Sequence, residues 1–297
     1  MSETIKRTSE IEEFTNLYLI HPVSSWLVPR FAALKVTPNM VSLSGMLAGF
    51  LAGFAYYNYQ DGRLAILGFA LMLTWHILDG ADGQLARLTQ TQSELGKVID
   101  GICDYVVFIS VYIALGLTLA PDLGSWVWAL VILAGAAHAV QAGAYETQRQ
   151  EYDFWGHGKL SARLPEPDEL QKGLNGGPFG AIAGKLEYGY VKMQYAFSGV
   201  DSAQRHEIQH LLDKNPELAG EIRAIYRLVF SRSVKLWSVM CANYRTFAIF
   251  IACIIGEPVV YFLFELVVLN VVLMALVHKQ KKYNRLFIRQ LRELTSE

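Results

Sequence analysis

Four aspartates occur as two closely spaced pairs, Asp79 with Asp82 and Asp100 with Asp104, in stretches that are otherwise mostly apolar or small. On a helix, residues three, four and seven apart return to nearly the same direction. Asp79, Asp82, Gly83 and Ala86 therefore share one face, and Gly96, Asp100 and Asp104 share another. Two adjoining antiparallel helices can then point four carboxylates at one another. Cations are the natural partners of such a cluster, because a carboxylate near a bilayer centre costs about 2.5–3.5 kcal/mol on insertion scales and four together add mutual repulsion. Two divalent ions formally cancel four carboxylates, and all-oxygen ligation favours magnesium or manganese over zinc. Helix bundles hold such two-metal sites on inward-facing carboxylates. Gly83, Ala86 and Gly96 leave space beside the metals, and Arg87 carries the planar fork that binds phosphate oxygens bidentately. Carboxylates, a gap and an arginine together indicate a nucleotide diphosphate.

The elements that must position these residues are apolar helices. Hydrophobic residues make up 53% of the 297-residue chain, above the range of ordinary soluble domains. Runs at Met40–Tyr59, Leu64–Leu78, Val98–Ala120 and Trp126–Ala144 each approach the length needed to cross a bilayer. Two more, Leu236–Ile255 and Val259–Val277, are joined by the tight connection Gly256-Glu257-Pro258. The fold class expected is all-α and integral to a membrane, with six spans in one domain. Lys6, Arg7, Arg30 and Lys35 precede the first span, and Lys279, Lys281, Lys282, Arg285, Arg289 and Arg292 follow the last. The excess of cations outside both ends places the termini and the aspartates on the cytoplasmic side. Phe14–Leu34, with Trp26, Pro22 and Pro29, suits a helix lying at the interface. A polar insert, residues 151–235, separates spans four (40–150 holds the first four) and five (236–278 holds the last two), and a basic tail follows at 279–297. Within the insert, Gly173–Gly180 reads as a loop and Ser202–Phe230 as one or two amphipathic helices.

The near-balanced formal charge of −1 gives no footprint for nucleic acid. Cys103, Cys241 and Cys253 lack the spacing of a zinc site or disulfide framework and read as buried apolar residues. Met1–Glu13 has no basic segment followed by an apolar run, so no cleavable signal peptide is expected there. His76 and His138 read as packing or hydrogen-bonding residues, and Tyr56, Tyr57, Trp126, Trp128 and Tyr261 as an interfacial aromatic belt. Arg149 and Arg245, near the cytoplasmic ends of spans four and five, suit either an acceptor's phosphate or carboxylate or plain snorkelling to the interface.

Asp79-x-x-Asp82-Gly83-x-x-Ala86-Arg87, eight residues, then Gly96-x-x-x-Asp100-x-x-x-Asp104 resembles the signature of the CDP-alcohol phosphotransferase family at every fixed position. The resemblance covers the interfacial segment and first four spans but not the insert. It implies a six-helix homodimer in which Asp79, Asp82 and Asp100 bind metal, and Asp104 acts as general base and as a possible further ligand. It also implies that Gly83, Ala86, Arg87 and Gly96 line the nucleotide site. Thr37-Pro38-Asn39 resembles the family as well and places Asn39 near the nucleotide. The reaction implied is transfer of a phosphatidyl group from CDP-diacylglycerol to a small polar alcohol, with release of CMP. Two alternatives stay open: transfer of phosphocholine or phosphoethanolamine from a soluble CDP-alcohol to a lipid alcohol, and cation-coupled transport with the aspartates as ion ligands.

Overall fold

The computed structural model describes residues 8–171 and 178–295, and no strand occurs among them. In order, the helices are α1 (His21–Ala33), α2 (Pro38–Tyr57), α3 (Gly62–Thr89), α4 (Glu94–Leu123), α5 (Trp126–Glu151) and α6 (Pro167–Gln171). They continue with α7 (Pro178–Ser198), α8 (Ser202–Lys214), α9 (Ala219–Trp237), α10 (Ala242–Ile254), α11 (Pro258–Leu263) and α12 (Leu269–Thr295). Among the described residues, six helical segments are long and apolar enough to cross a membrane: Pro38–Tyr57, Gly62–Thr89, Ile99–Leu123, Trp126–Gly156, Pro216–Ile254 and Pro258–Leu294. The all-α, six-span expectation holds. The chain divides into two compact units: one runs to Ala137 and resumes over Ala242–Val268, and the other comprises His138–Cys241 and the chain from Leu269.

In the first unit α2 packs against both α3 and α4. Its packed face is built from small residues, with Gly45, Ala48, Gly49, Ala52 and Gly53 all buried. Small side chains let helix backbones approach closely where lipid offers no hydrophobic drive to association. A Cβ on Gly45 would stand 3.3 Å from Leu78 Cβ of α3, and one on Gly53 3.0 Å from the Ser110 backbone of α4. Gly49 is tighter still: its Cβ would overlap Val107 Cγ2 at 2.3 Å. The ends of these helices are set by local chemistry. Thr37 caps α2 by accepting from the Met40 N–H, with Pro38 in the first turn, and Ser93 caps α4 by accepting from the Gly96 N–H.

Two residues assigned to the aromatic belt are instead core. Tyr56 is 0% exposed because Gly68 leaves a flat seat for its ring, a Cβ there standing 3.0 Å from Tyr56 Cε1. Tyr261 is 1% exposed and its hydroxyl lies 2.6 Å from that of Tyr112. Trp126, by contrast, is 82% exposed. The fifth apolar run is not one helix. Ser238–Met240 forms a 3-10 turn, Cys241 is extended, and α10 has only 13 residues, about 20 Å of axis. At the break the Ser238 hydroxyl donates to the Lys235 carbonyl, a local bond that competes with helix continuation.

In the second unit the insert is a packed assembly of helices. Arg205 and Glu151 form a buried ion pair, and Arg205 Nη2 also donates to the Leu164 carbonyl at 2.7 Å. Phe287 of α12 packs on Tyr226 and Phe230 of α9, with ring centroids 5.1 and 5.6 Å apart. The amphipathic stretch from Ser202 resolves into α8 and α9, with Ile208, Ile222 and Val229 buried but Leu228 exposed. The loop expected over Gly173–Gly180 is shorter at its far end, since residues 172–177 lie outside the described residues and α7 already begins at Pro178. All three cysteines are buried, and none is joined in a disulfide.

Gly49→Ala should lower stability by about 1–3 kcal/mol through overpacking, read as an earlier thermal unfolding midpoint in detergent. Adding Val107→Ala to it should recover part of the loss. Unchanged stability in the single variant would show that α2 and α4 are not in close contact there.

Candidate metal centre

Asp79 and Asp82 stand in α3 and Asp100 in α4, and one carboxylate oxygen from each lies within 4.8 Å of the others. A magnesium ion holds its oxygens at about 2.1 Å, so ligands on opposite sides of one ion are about 4.2 Å apart. The three oxygens are close to that spacing, and their all-oxygen chemistry fits magnesium or manganese. Asp82 is 5% exposed, while Asp79 and Asp100 are half-buried. Asp104, also half-buried, follows one turn along α4 from Asp100 and is not part of the three-carboxylate group.

Each neighbouring helix fastens the carboxylate-bearing segment of α3. From α2, Ser42 donates a short hydrogen bond to Asp82 Oδ2. From α1, Ser24 Oγ donates to the Ile77 carbonyl at 2.7 Å and Ser25 Oγ to Gln84 Oε1 at 2.8 Å. Gly80 lets α1 come so near, because a Cβ there would stand 2.9 Å from Ser24 Oγ. From α10, Thr246 Oγ1 lies 2.9 Å from His76 Nε2, and both side chains are buried. His76 is thereby a hydrogen-bonding residue, one turn before Asp79. A Cβ on Gly101 of α4, by contrast, would meet nothing within 4 Å.

The expected nucleotide residues lie in two groups. Arg87 folds back along α3 so that its Nη1 is 3.4 Å from the position of a Cβ on Gly83, and Ala86 beside it is half-buried. Asn39, in the first turn of α2, has its Oδ1 3.6 Å from the position of a Cβ on Gly96, in the first turn of α4. The two arginines differ. Arg149 is partly exposed on α5 with Nη1 3.1 Å from Glu146 Oε2. Arg245 is fully buried, its Nε 3.2 Å from both carboxylate oxygens of Glu265, and Tyr261 donates to the same carboxylate at 3.0 Å.

Residues that sequence reasoning passed over are Ser42, Ser24 and Thr246. Ser42 carried a usable signal: it stands one turn after Asn39, on the face of α2 that holds Gly45 and Gly49. Ser24 and Thr246 are distant in sequence from the aspartates, and nothing in spacing links them.

Residues 35–163 match the model of the CDP-alcohol phosphatidyltransferase family. The chain is similar to the CDP-diacylglycerol–serine O-phosphatidyltransferase of Helicobacter pylori strain J99, 29% identical over 128 residues, covering 41% of this chain and 52% of that protein. It is similar to cholinephosphotransferase 1 of Gallus gallus, 29% identical over 113 residues, covering 36% of this chain and 33% of that one. It also resembles the bifunctional IPC transferase and DIPP synthase of Aquifex aeolicus, 29% identical over 128 residues, or 43% and 26% of the two chains. The chain thus spans about half, or less, of the length of these curated relatives. No solved structure matches it.

Titrating purified protein with manganese and following free ion by electron paramagnetic resonance tests the site. Ser42→Ala should weaken binding by about 10- to 100-fold, as loss of a ligand's supporting hydrogen bond does, and Asp82→Asn by more. Wild-type affinity in both variants would remove these side chains from the metal centre.

Proposed function

We propose, for a chain whose residues 35–163 match the CDP-alcohol phosphatidyltransferase family model, transfer of a phosphatidyl group from CDP-diacylglycerol to a small polar alcohol with release of CMP. The observation that carries this reading is the convergence of Asp79, Asp82 and Asp100 within the family-matched segment. Asp79, Asp82 and Asp100 would hold magnesium or manganese. Divalent ions bound there would supply charge neutralisation for the diphosphate and the departing CMP. Arg87, beside Gly83, would bind phosphate oxygens, and Asn39 with Gly96 and Ala86 would line the nucleotide. The acceptor oxygen attacks the phosphorus distal to cytidine. A new P–O bond forms, the bond to CMP breaks, and Asp104 takes the hydroxyl proton.

Of the two arginines, we assign Arg149, which is partly exposed, to the acceptor, and Arg245 to holding α10 through its buried pair with Glu265. The cations flanking the first and last spans support cytoplasmic termini and a cytoplasmic site, and the family resemblance supports a homodimer. Similarity to a cholinephosphotransferase favours one second reading, in which a soluble CDP-alcohol is donor and a lipid alcohol acceptor.

Membranes containing the protein, magnesium and CDP-diacylglycerol should release CMP only on addition of an acceptor. Serine, glycerol 3-phosphate, inositol, inositol phosphate and choline form the panel. Release with CDP-choline and diacylglycerol alone would establish the second reading, and no release with any donor would favour ion transport. Asp104→Asn should reduce transfer by about 10²–10⁴-fold while retaining metal-dependent donor binding. Wild-type turnover in that variant would exclude Asp104 as the base.

A further inference from the structure

Helix α12 presents two opposed faces. Leu269, Leu273, Leu276, Gln280, Phe287 and Leu291 are buried and form the packed side. On the other side, spaced by threes and fours, lie Val271, Met274, His278, Lys281, Arg285, Ile288 and Arg292. All fall within one sector of the helix at 100° per residue. Val271 and Met274 are 60% and 69% exposed, so this face is apolar before His278 and, apart from Ile288, cationic after it. The cationic part lines a groove of about 970 Å³ against the start of α8.

The charges in this groove are unevenly committed. Arg292 pairs with Glu207 at 2.9 Å and Arg289 with Glu293 at 3.0 Å. Asp201, the groove's remaining carboxylate, accepts from the Ala203 and Gln204 N–H groups as the cap of α8. Lys281 and Arg285 are exposed, and neither pairs with a carboxylate among the described residues. Lys281 follows the last apolar residue of the run, Val277, by four positions, about 6 Å along the axis. The polar zone on each side of a bilayer's hydrocarbon is of the same order, about 5–8 Å.

We propose that this face of α12 seats an anionic phospholipid, acyl chain along Val271 and Met274 and phosphate at Lys281 and Arg285. The order of chemistry along the face is the order within a lipid, and its spare charge has the opposite sign to the headgroup's. A soluble phosphate would use the cations but gain nothing from Val271 and Met274. The proposal is independent of the aspartate centre and of the transfer reaction assigned to it.

Native mass spectrometry of the detergent-solubilised protein tests it, with phosphatidylglycerol and phosphatidylcholine as probes. Each basic residue near an anionic surface contributes enough for about a five-fold change in binding. Lys281→Gln/Arg285→Gln should therefore bind phosphatidylglycerol about thirty-fold more weakly and phosphatidylcholine unchanged. Lys281→Arg/Arg285→Lys, which keeps both charges, should bind like the wild type. If the neutral double variant fails to fold, Lys281→Gln alone, with its five-fold loss, decides. Undiminished phosphatidylglycerol binding in the neutral variants would overturn the proposal. So would competition by glycerol 3-phosphate at concentrations matching the lipid, which would make the site one for soluble phosphate.

Discussion

Like charges held a few ångströms apart in apolar surroundings repel strongly, and burial disfavours the charged form further. Asp79, Asp82 and Asp100 are held that close, Asp82 buried and the other two half-buried, and the packing around them resists their separation. Asp82 has a hydrogen-bond donor in Ser42, and α3 is fastened by α1 at Ile77 and Gln84 and by α10 at His76. The glycines of α2 serve the same end, because they allow one helix to lie close to both α3 and α4. Removing side-chain volume from α2 therefore contributes to the carboxylate geometry as directly as the serine does.

Most of this architecture was legible in the residues. Apolar length located the six spans, and three- and four-residue spacing put the aspartates on common faces. What escaped was whatever depends on partners distant in the chain. Tyr56 looks interfacial from its place at the end of a span, and only Gly68, twelve residues on, makes a seat that buries it. Tyr261 is drawn inside by the Tyr112 hydroxyl and Glu265, neither of which an aromatic belt would use. The fifth run reads as one apolar stretch because hydropathy cannot register a backbone that turns at Ser238–Cys241.

The insert shows the same limit from the other direction. Its polar composition reads as loop with amphipathic helices, yet Arg205, Glu151 and Gln204 are buried there. Composition alone counts such residues as surface. Arg205 and Glu151 are paired with each other, and Arg205 Nη2 donates to the Leu164 carbonyl at 2.7 Å. On the reading proposed above, the aspartate motif would engage groups that any CDP-linked donor shares, so it carries no information about the alcohol.

The connection between α3 and α4 is only four residues, Gln90 to Ser93, and each end of it is occupied. Gln90 takes the left-handed conformation, φ 55°, that closes α3, and the Thr91 N–H bonds back to the Ala86 carbonyl. Ser93 is already spent on the first turn of α4. Such a segment is a strut of fixed length, with no slack to absorb an added or missing residue. A change taken up at the end of α3 or α4 would shift that helix's register by the angle of a single residue, about 100°. The length of the connection is therefore part of what keeps Asp79 and Asp82 facing Asp100.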